Sequence, residues 1–131
     1  PAIMVTSAGT QALLALRRAR TLLVGCFANL PALAARMRLE RGPWLIVPAC
    51  LYFNPRHMED VHCARAIRDA VVVRDTARAW VANFRAGNRP AEFLAGRPET
   101  GRADLRLALS VGRFAVVPQV RIRGNLGRVS A

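Results

Sequence analysis

The sequence predicts an α/β protein, a three-layer α/β/α arrangement around a mostly parallel sheet. Three observations carry that expectation. Short continuous apolar runs, Ala2-Ile3-Met4-Val5, Thr21-Leu22-Leu23-Val24-Gly25 and Trp44-Leu45-Ile46-Val47-Pro48, read as buried strands. Between them lie stretches of helical character, one ending in basic residues and one broken by Gly42-Pro43. Strand, helix, strand, helix, strand at this rhythm is the pattern of parallel strands joined by right-handed crossovers.

The first strand, residues 2–5, runs into Thr6-Ser7-Ala8-Gly9-Thr10, and a helix follows over residues 11–20 with Leu13, Leu14 and Leu16. That small polar loop fits two readings equally, a cradle for phosphate at a helix N-terminus and an ordinary Ser/Thr cap. After the second strand, Asn29 caps a helix that carries Pro31 in its first turn, where a missing N–H costs nothing. The third strand ends in a loop over residues 51–58, followed by a helix from Glu59 to about Asp69. Val71-Val72-Val73 suggests a short extended piece. A helix capped by Asp75 runs to about Gly87, a turn-rich stretch covers residues 88–100, and residues 102–110 are again helical. Phe114-Ala115-Val116-Val117-Pro118 reads as a final strand, and residues 119–131 as a polar end.

With 131 residues the chain makes one domain, residues 1–131, and 53% hydrophobic residues exclude a disordered tail. No apolar run approaches the roughly 18 residues of a membrane span, and no signal-peptide pattern opens the sequence. Cys26, Cys50 and Cys63 are odd in number, lack a C-x-x-C pair and sit in apolar contexts. They therefore read as small buried hydrophobes of a reducing, cytoplasmic protein, and a zinc site is not expected. The net charge is +12 and every basic residue is Arg. These arginines are scattered and aromatics are only 6%, so neither nucleic acid nor a membrane is the expected partner.

The chemical centre falls on residues 45–64. In a parallel sheet the loops 6–10, 26–29 and 49–60 lie on one edge, where open α/β sheets place their ligands. Glu59 and Asp60 open the helix there, pointing about 100° apart. One of them can hold a cation, and both interact favourably with a helix N-terminus. His57 and His62 flank the pair as possible ligands or proton carriers. Asn54 and Arg56 suit an anion, since guanidinium presents a planar fork to phosphate. Cys63 is a nucleophile only if a base lowers its pKa, and is otherwise packing. No Walker loop, G-x-S-x-G elbow or G-x-G-x-x-G fingerprint is present.

Taken in order, these segments resemble one family. Val5-Thr6-Ser7-Ala8-Gly9-Thr10-Gln11-Ala12-Leu13 resembles the T-T-N-G-T-R-A-L segment of the 2-phosphosulfolactate phosphatases. Leu22 to Asn29 resembles their V-L-V-G-S-x-x-N segment, and Glu59-Asp60-Val61-His62-Cys63-Ala64 their E-D-x-x-C-A-G. Asp75-Thr76-Ala77 and the stretch from Asp104 to Pro118 fit the family's tail. Ala8, Gln11, Cys50 and Arg65 stand where the family has Asn, Arg, Gly and Gly. The resemblance implies a magnesium-dependent phosphatase acting on a small phosphorylated 2-hydroxy acid. It implies Thr6, Ser7, Gly9, Thr10 and Asn29 around the phosphate. Glu59, Asp60 and Cys63 would be catalytic, with Mg2+ on Glu59 and Asp60. It further implies that the family's N-terminal part, with an Asp-x-x-Arg-Ala-Thr-like motif, is missing. On that expectation an exposed sheet edge offers itself to a second copy or another partner, and an inactive remnant acting by association is the alternative function.

Overall fold

The computed structural model describes residues 8–40, 42–54 and 56–131. Among these, helices and strands follow in the order α1 Gly9–Ala15, β1 Leu22–Leu23, α2 Leu30–Glu40, α3 Met58–Val71, α4 Ala77–Ala86, α5 Arg89–Ala95, α6 Gly101–Ala108, β2 Gln119–Arg123 and β3 Leu126–Ser130. Single 3-10 turns at Phe27–Asn29 and Ala49–Tyr52 lead towards α2 and α3. No described helix is long and apolar enough to cross a membrane.

The chain mixes helix and sheet, as expected for α/β, but the sheet is antiparallel rather than parallel. Its order is β1-β2-β3, with Leu22 opposite Val120 and Arg121 opposite Arg128. Two features overturn the parallel arrangement. The run 44–48 joins no ladder. Pro43 and Pro48 bracket it without donors, and Trp44 gives its indole N–H to the Met37 carbonyl at 3.0 Å. Ile46 packs on the core while Leu45 is 80% exposed. In addition, the partner of Leu22–Leu23 comes from the far end of the chain, running the opposite way.

That partner is not the apolar run 114–118, which is irregular, but the segment just after Pro118. Gln119-Val120-Arg121-Ile122-Arg123 alternates with period two, so Val120 is buried while Arg121 and Arg123 face solvent. Residues 124 and 125 form the hairpin turn. Gly124 has φ +60° and Asn125 does not, which is the type II′ requirement for glycine at the first central position. The expected polar end is therefore a hairpin. The expected strand at residues 2–5 lies outside the described residues. The extended piece at residues 71–73 is instead the end of α3.

The core forms where α2, α3 and α4 meet. Leu30, Leu33 and Met37 recur along one stripe of α2 and pack with Ala66 and Ile67 of α3, Ala77 and Val81 of α4, and Phe27. Each large side chain buried there contributes about 1.5–3 kcal/mol. Gly25 lets β1 run into this core, because a Cβ there would lie 2.5 Å from Leu33 Cδ2 and 2.9 Å from Ile67 Cδ1.

One buried carboxylate fixes the α3–α4 hairpin. Asp69 Oδ2 accepts from Thr76 Oγ1 at 2.7 Å and from Trp80 Nε1 at 3.0 Å, and Oδ1 accepts from Arg68 Nε and Nη2 at 3.0 and 2.8 Å. These donors hold its carboxyl well below the usual carboxylate range, the Trp80 and Thr76 hydrogen bonds first. Its carbonyl also accepts the Arg74 N–H at 2.8 Å, while the Val73 N–H reaches Ala70 at 3.1 Å. Together these two bonds make a Schellman closure of α3. The left-handed residue of that closure is Val73, at φ +62° and 81% exposed.

Two stability predictions follow from this corner. Asp69→Ala strands the Thr76 and Trp80 donors and should cost about 2–4 kcal/mol in urea unfolding at pH 7. Because the folded pKa is depressed, Asp69's contribution is complete above the unfolded value of about 3.9 and is lost as pH falls towards the folded value. The gap between the wild type and Asp69→Ala should therefore narrow in acid. Val73→Gly removes a β-branched side chain from the left-handed region and should stabilise the fold by about 1 kcal/mol in the same measurement.

Candidate functional site

α3 delivers two carboxylates, Glu59 and Asp60, in its first turn, where the helix dipole favours negative charge. A cavity of about 740 Å³ opens beside them, and Gly9, Cys26, Ala49 and Cys63 line it with the pair. Residues from three loops that the sequence places at strand ends thus meet at one cavity, although residues 44–48 form no strand and Leu22–Leu23 pairs antiparallel with β2. Phe27, Leu33 and Trp44 give the cavity much of its apolar wall.

The two carboxylates have different environments. Glu59 is clamped by Arg89, whose Nη2 donates at 3.0 Å and whose Nε lies 3.1–3.2 Å from both Glu59 oxygens. The third arm of the guanidinium, Nη1, donates to Glu92 at 3.4 Å. Arg89's pKa is raised, the Glu59 hydrogen bonds first. Among the described residues no guanidinium clamps Asp60, which takes a hydrogen bond from the Cys50 backbone. Burial and the neighbouring Glu59 charge raise its pKa, with the Cys50 backbone, His57 and Arg89 acting in the opposite direction. A cation near Asp60 would relieve that penalty.

Other expected residues are placed as follows. Gly9 lines the cavity at the start of α1, and Thr10 follows it in the same helix. Thr6 and Ser7 lie outside the described residues. Asn29 is buried and its carboxamide is engaged: Nδ2 donates to the Val24 and Val116 carbonyls at 3.1 Å each, and Oδ1 accepts the Cys26 N–H at 2.9 Å. It shapes the turn behind the cavity and ties it to the C-terminal segment. Cys63 lines the cavity, and burial pushes its thiol up to about 12, which keeps it neutral near pH 7. His57 and His62 border a separate, smaller cavity.

Arg89 is the residue that sequence reading missed. The short connection between α3 and α4 makes the two helices antiparallel neighbours, so the residue just past the end of α4 returns to the start of α3. That geometry is the available signal, since nothing in residues 88–92 alone points 30 positions back.

The donor set also bears on a metal. Among the described residues no three His, Cys, Asp or Glu side chains gather as a preformed cage. Asp60, with Glu59 adjacent, fits a hard cation that takes its remaining ligands from water and a substrate phosphate, as Mg2+ commonly does. Thiol chemistry offers a direct check on the site's electrostatics. In native protein at pH 8, iodoacetamide should alkylate the exposed Cys26 first, with Cys50 and Cys63 reacting at comparable rates only after denaturation, as peptide mass mapping would show.

The sequence model of the family described as 2-phosphosulpholactate phosphatase matches residues 1–122. No curated protein and no solved structure matches the chain. The family is named for a phosphoric monoester hydrolase, and its match takes in the cavity, the carboxylate pair, Arg89, β1 and all of β2 but Arg123. The chain belongs to the 2-phosphosulpholactate phosphatase family.

Proposed function

We propose that the chain is a magnesium-dependent cytoplasmic phosphatase that hydrolyses the phosphate ester of a small 2-hydroxy acid of the 2-phosphosulfolactate kind. The observation that carries this reading is Asp60, an unclamped carboxylate of raised proton affinity on the wall of a substrate-sized cavity, within a chain of this family.

In this reading Asp60, with Glu59 beside it, holds Mg2+. When bound, the ion would stabilise charge on the phosphoryl group and make water a better nucleophile. Arg89 neutralises Glu59, so a phosphate entering the cavity meets one uncompensated carboxylate instead of two. The backbone at Gly9–Thr10, with the hydroxyls of Thr6, Ser7 and Thr10, receives the phosphate oxygens. Asn29 acts through the turn that it holds, and Cys63 as part of the wall. The apolar side of the cavity limits water to the reacting end, which strengthens each charge interaction inside.

The test is phosphate release from 2-phospholactate and 2-phosphosulfolactate with Mg2+ and with chelator. Asp60→Asn should lower kcat/KM by about 100-fold or more, or about 2.7 kcal/mol of transition-state stabilisation. Activity of Asp60→Asn within about twofold of the wild type would sink the assignment. Asp60 must be ionised to act, and its pKa is raised. A proton and Mg2+ would therefore compete for Asp60, so lowering the pH should raise the Mg2+ concentration needed for half-maximal activity, and Mg2+ titrations at several pH values read that shift.

A further inference from the structure

A second cavity, of about 450 Å³, adjoins the first, with Phe84 and Arg89 lining both. The phosphatase reading makes no use of it. Its walls come from segments far apart in sequence: the loop before α3, His62 on α3, and the α4–α5 corner.

Its polar groups supply several donors. The carboxylate in the wall, Glu92, is taken by Arg89, and the other arms of Arg89 are taken by Glu59. Asn54 Oδ1 accepts the Arg56 N–H at 3.0 Å, which leaves the Asn54 amide with its donors. Arg56's guanidinium and the carboxamides of Asn83 and Asn88 make no hydrogen bond or ion pair with any described residue. His62 Nδ1 lies 3.3 Å from the Trp80 carbonyl. A carbonyl only accepts, so in this contact Nδ1 is the donor, and Nε2 has no partner among the described residues. Arg56 thus offers a planar fork of donors, and two or three amide NH2 groups stand around the same space. Met58 and Phe84 supply an apolar side.

We propose that this cavity is a binding site for a small oxyanion, a carboxylate or phosphate group on a short apolar body, held by Arg56 with Asn83 and Asn88. An arginine fork flanked by carboxamides, with the wall's one carboxylate paired to Arg89, can receive such a group. The site is separate from the Asp60 cavity and stands whether or not the chain is a phosphatase.

The experiment is amide and side-chain NMR of the full chain, titrated in separate arms with inorganic phosphate and with propionate. Expected are saturable shifts at Arg56, Asn83 and Asn88, with half-saturation on the order of 1 mM for the preferred arm. Arg56→Ala should weaken binding about tenfold or more, and Asn88→Ala by less, both with otherwise unchanged spectra. Asp60→Asn should leave these shifts intact, which separates this site from phosphate bound in the first cavity. The arm that binds more tightly names the headgroup. Shifts that do not saturate would show an ordinary solvated crevice and overturn the proposal. So would shifts confined to residues of the first cavity, or affinity unchanged in Arg56→Ala.

Discussion

The Asp69 carboxylate is the constraint on which the placement of the site depends. It joins the end of α3 to the start of α4 through Thr76 and Trp80, and its own carbonyl closes α3. An acid at this depth is tolerated because each oxygen has donors. What it fixes is direction: α4 must run back along α3. The start of α3 and the far end of α4 then lie side by side, and the Glu59–Arg89 clamp forms between them. A charge buried at one end of a helix pair thereby sets the geometry of charges at the other, with the apolar contacts of Ala66, Ile67, Ala77 and Val81 filling the length between.

Within the site, adjacent carboxylates are made unequal by their partners. Two acids at neighbouring positions of a helix start alike in sequence. A bidentate guanidinium then satisfies one, while the other is left partly buried with its neighbour's charge against it. Such division is how one pair of like groups acquires two roles. Here it leaves Asp60 as the group with most to gain from a cation, and Glu59 as the group that anchors α5 to α3.

The sequence made the helical part of the fold legible and much of the sheet illegible. The Pro-containing start of α2, the Gly42-Pro43 break after it and the carboxylates opening α3 all act locally, so they can be read locally. Strand pairing is non-local, and the error came there. Apolar content at residues 44–48 and 114–118 outweighed the prolines that bracket or end those runs, whereas the alternation of Val120 and Ile122 with arginines, followed by Gly124, was the better strand signal. Of the site, Glu59, Asp60, Gly9 and Cys63 were found from motif order and do meet at one cavity. Asn29 was singled out too, yet its carboxamide is spent on the turn. Arg89 escaped because its importance arises only when a helix hairpin folds back on itself.

The hairpin has one more consequence, for the behaviour of the protein in a crowded solution. Among the described residues no strand pairs with the outer edge of β3 and every one of its residues is exposed, the kind of strand that recruits copies of itself into growing sheets. Arg128 is its middle residue. A second β3 laid antiparallel in the centred register would bring Arg128 against Arg128, with Arg121 already directly across the sheet from each. Four permanent positive charges would then form a row across the four central strands of a six-stranded sheet, an arrangement that cross-strand electrostatics opposes. The arginines that look idle on this surface would oppose such pairing, and because arginine does not lose its proton, they would do so at any pH the fold survives.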